Sequence, residues 1–186
     1  MSDQIIHMPV DPGDIIGEEH WTKRGDIDLF LFRRYSPKAR AASPDKPVLF
    51  LVHGSSFSAR TAYDLDIPGK GDYSLMRTFA GLGYDVWTMD HEGYGKSSHT
   101  DGFSYIADGV EDLKAAAPIV EEITGKSAFS FFGSSSGALR AGAYANACPE
   151  RVDRLVLAAL VWTGEGSPTL KKRAERIDEW RASNRR

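Results

Sequence analysis

The sequence predicts an α/β fold: a mostly parallel sheet with helices on both faces and an antiparallel hairpin at the N-terminus. Largely apolar runs bounded by glycine, proline or polar residues occur at residues 47–52, 84–89, 129–132 and 155–162. Strands that are buried on both faces of a parallel sheet have this character. Segments with helical periodicity separate the runs, and such alternation is typical of a parallel sheet that is covered on both sides.

The first two strands are predicted at residues 15–22 and 27–35. Lys23-Arg24-Gly25-Asp26 separates them, and a Gly-Asp pair between two strand-like runs favours a hairpin. Residues 36–47 are rich in proline, alanine and charge, and we interpret them as a surface connection.

Residues 55–73 contain glycine, proline and several aspartates and have no clear period, which predicts a long loop. Ser74 then has the position of an N-cap for a helix over residues 75–80. A longer helix is predicted over residues 105–123, which Pro118 kinks or splits and Gly125 ends.

The segment 129–139 carries the chemistry that the sequence suggests. Gly133, Ser135 and Gly137 form a Gly-x-Ser-x-Gly motif between an apolar run and an Ala-rich helix predicted over residues 138–147. Such a strand–turn–helix is so tight that side chains two positions either side of the serine would collide with backbone atoms. The strained serine stands at the positive end of a helix, where developing negative charge is stabilised. We therefore predict that Ser135 is a nucleophile.

A flexible Gly/Ser linker would have the same composition as this motif. Linkers are not normally set directly between an apolar strand and a helix, which favours the catalytic interpretation.

Three motifs in this order resemble those of the α/β-hydrolase superfamily, and the resemblance extends from residue 15 to residue 162. They are His53-Gly54-Ser55 after the third strand, Asp90-x-x-Gly93-x-Gly95-x-Ser97 after the fourth, and Gly133-x-Ser135-x-Gly137 after the fifth. The resemblance implies that six of the family's usual eight strands are present.

The resemblance also implies an oxyanion hole formed by the backbone amides of Ser55 and Ser136. These amides would meet the tetrahedral oxyanion that forms when Ser135 attacks an acyl carbon. Losing one such donor typically costs about 10²- to 10³-fold in rate.

The remaining motif residues receive structural roles by the same resemblance. His53, Gly54 and Asp90 are expected to shape their loops rather than to react. His91 and His99 lie on a polar loop and are interpreted as surface residues.

A complete catalytic triad is not present in the sequence. The family's order is serine, acid, histidine, and no histidine follows Ser135, because the last of the five is His99. The catalytic histidine is therefore expected outside these 186 residues. In the family the acid usually follows the seventh strand. Glu165, after the sixth strand, is a candidate acid in a rarer arrangement; the alternative is that it is an ordinary glutamate of the surface or of the lid.

We expect residues 1–163 to be the N-terminal part of a hydrolase core and residues 164–186 to begin a cap or lid. Without further strands, the apolar run at 155–162 would be an exposed sheet edge, which is an aggregation site. A C-terminal remainder or a second chain is therefore expected to complete the sheet. The isolated chain is expected to be marginally folded and to lack normal turnover.

Composition and charge argue against several other classes of protein. A net charge of −3 and a pI near 6.0 give no reason to expect a nucleic-acid partner. Gly95-Lys96-Ser97 resembles the end of a phosphate-binding loop, but that motif needs glycine at the position of Asp90. Cys148 is the only cysteine, and no signal peptide or run of membrane-spanning length is evident. A cytoplasmic protein without a metal or other cofactor is predicted.

The sequence therefore predicts a serine-dependent hydrolase of a carboxylic ester or related acyl substrate, acting through an acyl-enzyme. Serine in place of aspartate at the elbow argues against dehalogenase and epoxide hydrolase chemistry, but it leaves thioesterases, lipases and peptidases open. The alternative is a non-catalytic subunit that keeps the hydrolase scaffold and completes its sheet against a partner.

Overall fold

A computed structural model describes residues 14–70, 73–161 and 163–183. Its main sheet has six strands in the order β1-β2-β6-β3-β7-β8, and a second, two-stranded sheet consists of β4 and β5. The strands are β1 Ile16–Arg24, β2 Ile27–Tyr35, β3 Val48–Val52, β4 Asp64–Leu65, β5 Tyr73–Ser74, β6 Asp85–Met89, β7 Phe129–Ser134 and β8 Val152–Ala158.

The main sheet has the mixed character that the sequence predicts. β1 and β2 form an antiparallel hairpin, and β2 pairs antiparallel with β6. The pairs β6–β3, β3–β7 and β7–β8 are all parallel. The predicted fold class is therefore confirmed.

Seven helices connect or follow the strands in the described part of the chain. They are α1 Pro37–Ala42, α2 Ala59–Tyr63, α3 Leu75–Gly81, α4 Ile106–Thr124, α5 Ser136–Ala147, α6 Pro168–Ala174 and α7 Ile177–Ser183. The predicted cap of α3 is confirmed, because the Ser74 hydroxyl accepts a hydrogen bond from the Arg77 amide at 2.9 Å. Pro118 lies within α4 without splitting it, and Gly125 ends the helix in the left-handed conformation.

Apolar side chains fill both sides of the sheet. On one side, Phe50 and Phe131 of the central strands pack with Leu113 of α4 and Tyr144 of α5. On the other side, strand residues such as Leu51 pack against α3. Both faces of the sheet are therefore covered by helices, as the apolar character of its strands requires.

The segment 55–73 was expected to be one long loop, and this expectation is wrong. It contains α2 and β4, and β4 pairs with β5, which begins at Tyr73. The first turn of α2 is held from outside the segment, since the Ala59 amide donates to the carboxylate of Asp90 at 2.7 Å. A distant residue therefore orders this part of the chain, which local patterns do not indicate.

The last strand of the sheet begins and ends earlier than expected. β8 spans Val152–Ala158 instead of residues 155–162, and the predicted end at Trp162 lies outside the described residues. β8 has one neighbour, β7, and the exposed fractions of Leu155 and Val156 are 36% and 55%. An apolar sheet edge therefore faces solvent in the described structure.

Helices α6 and α7 follow this edge. No residue of α6 is buried, and Leu170 and Ile177 are exposed. The domain boundary at residue 163 and the lid assignment of residues 164–186 stay predictions.

Candidate active site

The turn between β7 and α5 places Ser135 in an unusual backbone conformation. Its φ is 56° and its ψ is −122°, a region that residues with a side chain rarely occupy. The Ser135 amide donates to the Ala158 carbonyl at 3.0 Å, and its carbonyl accepts from the Ala138 amide at 3.0 Å. The residue is exposed, so the strained turn presents it to solvent.

Two glycines allow the chain to pass through this turn. A Cβ atom on Gly133 would lie 2.4 Å from the Gly137 carbonyl oxygen, and one on Gly137 would lie 2.1 Å from the Val52 carbonyl oxygen. Both obstructing atoms belong to the backbone and cannot rotate away. β7, α5 and the end of β3 therefore approach each other more closely than any other residue type permits.

The loop after β3 lies directly against this turn. A Cβ atom on Gly54 would lie 3.0 Å from the Ser134 carbonyl oxygen and 3.2 Å from the Ser135 Cβ. Ser55 follows in an exposed position, and Ser136 is the first residue of α5. The two amides expected to form an oxyanion hole thus belong to residues beside this contact, and the Ser136 amide is at the positive end of the helix dipole.

His53 is buried, and both of its ring nitrogens contact the backbone. Nε2 accepts a hydrogen bond from the His91 amide at 3.2 Å, so the proton is on Nδ1 and is donated to the Gly54 carbonyl at 2.7 Å. The ring also packs against Tyr94, with 4.7 Å between centroids. These contacts suit a residue that shapes its loop.

Asp90 is the centre of the loop after β6. Its buried carboxylate accepts from the Ala59 amide at 2.7 Å and from the Lys96 amide at 2.9 Å. Gly95, with a φ of 52°, lies so close that a Cβ atom there would be 2.0 Å from Asp90 Oδ2. The loop therefore folds around this carboxylate and connects it to α2.

The expectation that His91 is a surface residue is wrong. His91 is fully buried, and its Nδ1 lies 3.0 Å from Oδ2 of Asp112. The other carboxylate oxygen of Asp112, Oδ1, accepts a hydrogen bond from Nε of Arg24 at 2.7 Å. His99, in contrast, is exposed as predicted. One feature of the sequence could have indicated this buried pair. Asp112 is next to the apolar residue Leu113, and both lie on the buried face of α4.

The pKa values of this pair move apart for identifiable reasons. Burial lowers the pKa of His91 below 6.5; the hydrogen bond to Asp112 opposes this effect and the nearby Arg140 adds to it. Burial by itself would raise the pKa of Asp112, but hydrogen bonds and charge from His91 and Arg24 outweigh it and hold that pKa below 3.8. At neutral pH the pair is therefore a neutral imidazole beside a carboxylate.

Arg140, on α5, is a second buried polar residue that the sequence analysis missed. Its NH1 lies 3.4 Å from the Ser136 hydroxyl, and its NH2 lies 3.4 Å from the Ser104 carbonyl. The signal in the sequence is an arginine in an Ala-rich helix, four residues after Ser136.

Glu165, the candidate acid, lies in the turn before α6 and is exposed. Its amide donates to the Thr163 hydroxyl at 3.3 Å, but its carboxylate contacts no hydrogen-bonding or charged partner among the described residues. Its role as an acid stays a prediction.

A pocket of about 360 Å³ opens on a different part of the surface, between α2, β4 and the loop after β6. No residue of the β7–α5 turn lines it, so it is not an acyl pocket for Ser135. Its lining residues are Phe30, Ser58, Arg60, Thr61, Asp64, Leu65, Asp66, Asp90, Gly95 and Lys96.

Within residues 14–70, 73–161 and 163–183, no helix is long and apolar enough to span a bilayer. The same residues contain no group of three or more His, Cys, Asp or Glu side chains placed to hold a metal ion. The cytoplasmic location and the absence of a cofactor stay predictions.

Comparison with known families gives one match, which covers more than half of the chain. A family model described as serine aminopeptidase, S33, matches residues 69–184, which include the loop after β6 and the β7–α5 turn. None of the curated proteins matches the chain in sequence.

Solved structures share the fold at low sequence identity. An epoxide hydrolase from Vigna radiata is 16% identical with a TM-score of 0.61, and the match covers 91% of this chain and 49% of the hydrolase. A 2-hydroxy-6-oxo-6-phenylhexa-2,4-dienoate hydrolase from Rhodococcus sp. strain RHA1 is 18% identical with a TM-score of 0.55, covering 76% and 45%. A predicted CIB-like hydrolase from Thermoplasma acidophilum is 17% identical with a TM-score of 0.56, covering 76% and 61%. The chain thus spans between 45% and 61% of the length of these structures.

Proposed function

The chain belongs to the serine aminopeptidase S33 family of α/β-hydrolases, and we propose that it supplies the nucleophile of a serine-dependent acyl hydrolase. One observation carries the proposal. Ser135 is exposed, with a φ of 56° that its surroundings impose, between the end of a buried strand and the first turn of a helix. A hydroxyl held there is available to a substrate and is adjacent to amide donors.

In the proposed reaction, the Ser135 oxygen forms a bond to the acyl carbon of a carboxylic ester or related substrate. The π electrons of the carbonyl move to its oxygen, and the amides of Ser55 and Ser136 donate hydrogen bonds to that oxyanion. The hydroxyl proton passes to a base. Expulsion of the alcohol leaves an acyl-enzyme, which water then hydrolyses without any cofactor.

The base is proposed to be a histidine outside these 186 residues, together with its acid. No histidine follows Ser135 in the sequence, and His53 and His91 are both engaged in the interior. Glu165 remains the alternative acid within the chain. Without a base the Ser135 hydroxyl is a weak nucleophile, so the isolated chain is expected to turn over esters poorly.

The substrate class rests on the residue at the turn. An oxygen nucleophile from serine forms acyl-enzymes with esters, thioesters and amides, and the family name refers to peptidases. We propose a carboxylic ester as the first substrate to examine because its alcohol leaving group needs less activation than the amine of an amide.

A fluorophosphonate probe tests the nucleophile. The probe is applied to the chain together with every polypeptide that co-purifies with it, so that an external base is present. We expect covalent labelling, mapped by peptide mass spectrometry to Ser135 and absent from Ser135→Ala. Ser134→Ala is the matched control, since it removes the neighbouring hydroxyl and should leave labelling intact. Labelling that persists in Ser135→Ala would refute the assignment.

The second candidate function is a non-catalytic subunit, and the apolar edge at β8 favours it. Leu155 and Val156 are exposed on a strand that pairs on one side only among the described strands. A partner that adds a strand there would complete the sheet. Absence of fluorophosphonate labelling in the assembly with every co-purifying polypeptide would support this function over catalysis.

A further inference from the structure

Arg140 lies beneath the first turn of α5, at the end of the helix that faces the proposed oxyanion. Its exposed fraction is 2%. NH1 donates to the Ser136 hydroxyl and NH2 donates to the Ser104 carbonyl, each at a distance of 3.4 Å. The guanidinium carbon is 5.8 Å from the centroid of the Tyr94 ring. The guanidinium therefore contacts the side chain of the residue whose amide is proposed to bind the oxyanion.

In the described part of the chain, Arg140 forms no ion pair with a carboxylate, and burial lowers its pKa. Its Nε is buried without a hydrogen-bond acceptor. The two carboxylates whose charges act on Arg140 make their hydrogen bonds elsewhere: Asp112 binds Arg24 and His91, and Asp108 accepts from the Tyr105 amide. A buried, unpaired guanidinium is costly, so its retention calls for a reason.

The neighbouring groups leave this charge without an ion pair, although the charges of Asp112 and Asp108 partly offset it. His91 lies close enough for the two groups to interact and is neutral, and its own Nε2 has no partner among the described residues. Gly109, inside α4, provides the space, since a Cβ atom there would be 2.4 Å from Cδ of Arg140. Glycine is unfavourable within a helix, so α4 gives up stability where Arg140 needs room.

We propose that Arg140 is a positioning residue that stabilises the oxyanion through Ser136, by adding its charge, which no ion pair among the described residues neutralises, to the dipole of α5. The inference rests on the proposed function, because it requires an oxyanion at Ser135. At the effective dielectric constant typical of proteins, a unit charge beyond hydrogen-bonding distance changes an equilibrium on the order of tenfold once solvent screening is included.

Phenylboronic acid is a suitable probe for this effect. Its boron accepts the Ser135 oxygen and becomes tetrahedral and anionic, while the hydroxyl proton goes to solvent or to a base, so the adduct carries the charge of the oxyanion. Adduct formation is measured by ¹¹B NMR as a function of pH. We expect the affinity of Arg140→Met to fall about tenfold and its adduct to form about one pH unit higher, whereas Arg140→Lys should remain within about threefold of the wild type.

A stability measurement separates this role from a structural one. Arg140→Met replaces a buried charge that has no ion pair with an apolar side chain of similar length. We therefore expect this variant to unfold at a higher urea concentration than the wild type. Arg151→Met is the matched control: it removes an arginine that pairs with Glu121 at 2.7 Å, and it should change adduct affinity less than twofold.

Each outcome of these measurements has a meaning. Weaker adduct formation together with higher stability in Arg140→Met supports the inference. Unchanged affinity, or lower stability without rescue by Arg140→Lys, overturns it while leaving fluorophosphonate labelling of Ser135 in place. Absence of both adduct and label in the wild-type chain, assayed together with every co-purifying polypeptide, instead refutes the proposed function, and the inference with it.

Discussion

Two loops that follow parallel strands of the main sheet, the β7–α5 turn and the loop after β6, hold their shapes in opposite ways. The β7–α5 turn is fixed by close contact between backbones, at positions where even one methyl group cannot be accommodated. The loop after β6 is fixed by attraction, since the buried carboxylate of Asp90 accepts two amide hydrogen bonds. The β7–α5 turn should therefore be destabilised when atoms are added, and the loop after β6 should be destabilised when hydrogen-bond acceptors are removed.

The largest effect is expected from Gly137→Ala. The new Cβ would lie 2.1 Å from the Val52 carbonyl oxygen and 2.5 Å from that of His53, so β3 and α5 must separate. We expect the free energy of unfolding to fall by about 3 kcal/mol, measured by urea denaturation. Gly142→Ala, in the same helix, is the control, because its nearest neighbour would be Leu157 Cδ1 at 3.8 Å.

Gly142→Ala should raise stability by about 0.5 to 1 kcal/mol, as alanine favours helix more than glycine does. If both substitutions have the same effect, the turn is not held by steric contact.

Asp90→Asn should have the next largest effect. The amide is nearly the same size as the carboxylate, but its NH2 group would face one of the two amide donors, from Ala59 or Lys96. Leaving a buried donor unsatisfied is expected to cost about 2 kcal/mol of unfolding free energy. The exposed Asp66→Asn is the control, with an expected change below about 0.5 kcal/mol. An equal response of the two variants would show that Asp90 does not hold the loop.

The buried His91 predicts a dependence of stability on pH. Its pKa in the folded protein is below 6.5, so below about pH 6.5 the unfolded chain binds a proton that the folded protein does not. Stability should therefore fall as pH decreases through this range, by up to about 1.4 kcal/mol per pH unit.

The effect is measured as the difference in unfolding free energy between pH 7.5 and pH 5.5. His91→Gln should reduce this difference, whatever its effect at pH 7.5, and the exposed His99→Gln should not. The other charged groups around His91 are Asp112, Arg140 and Asp90, and the substitution leaves them in place. An unchanged difference in His91→Gln would mean that another group controls the acid response.

Ser135→Gly should have the smallest effect on the free energy of unfolding, and it should raise this free energy instead of lowering it. Glycine adopts a φ of 56° readily, whereas alanine at this position keeps the strain of serine. We expect Ser135→Gly to be about 1 kcal/mol more stable than Ser135→Ala in urea denaturation. Equal stability of the two variants would show that the turn stores no strain.

The accuracy of prediction from sequence differed between these two loops. The Gly-x-Ser-x-Gly turn was visible because its glycines mark the close contacts directly, whether the contact is within the turn, as for Gly133, or with β3, as for Gly137. In the loop after β6 the motif Asp90-x-x-Gly93-x-Gly95 was visible, but His91 was assigned to the surface because its partner, Asp112, is 21 residues away. The order of α2 within segment 55–73 was missed for a related reason, since Asp90 reaches it across 31 residues.

The sequence by itself determined the alternation of strands and helices, the antiparallel hairpin and the position of Ser135, because apolar periodicity and backbone sterics act over a few residues. Only the tertiary structure decided that Asp112 meets His91 inside the protein and that Arg140 is buried beneath Ser136 with no ion-pair partner among the described residues. Both depend on how α4, α5 and the loop after β6 pack together, and the free energy of a buried charge is set by neighbours that are distant in the chain.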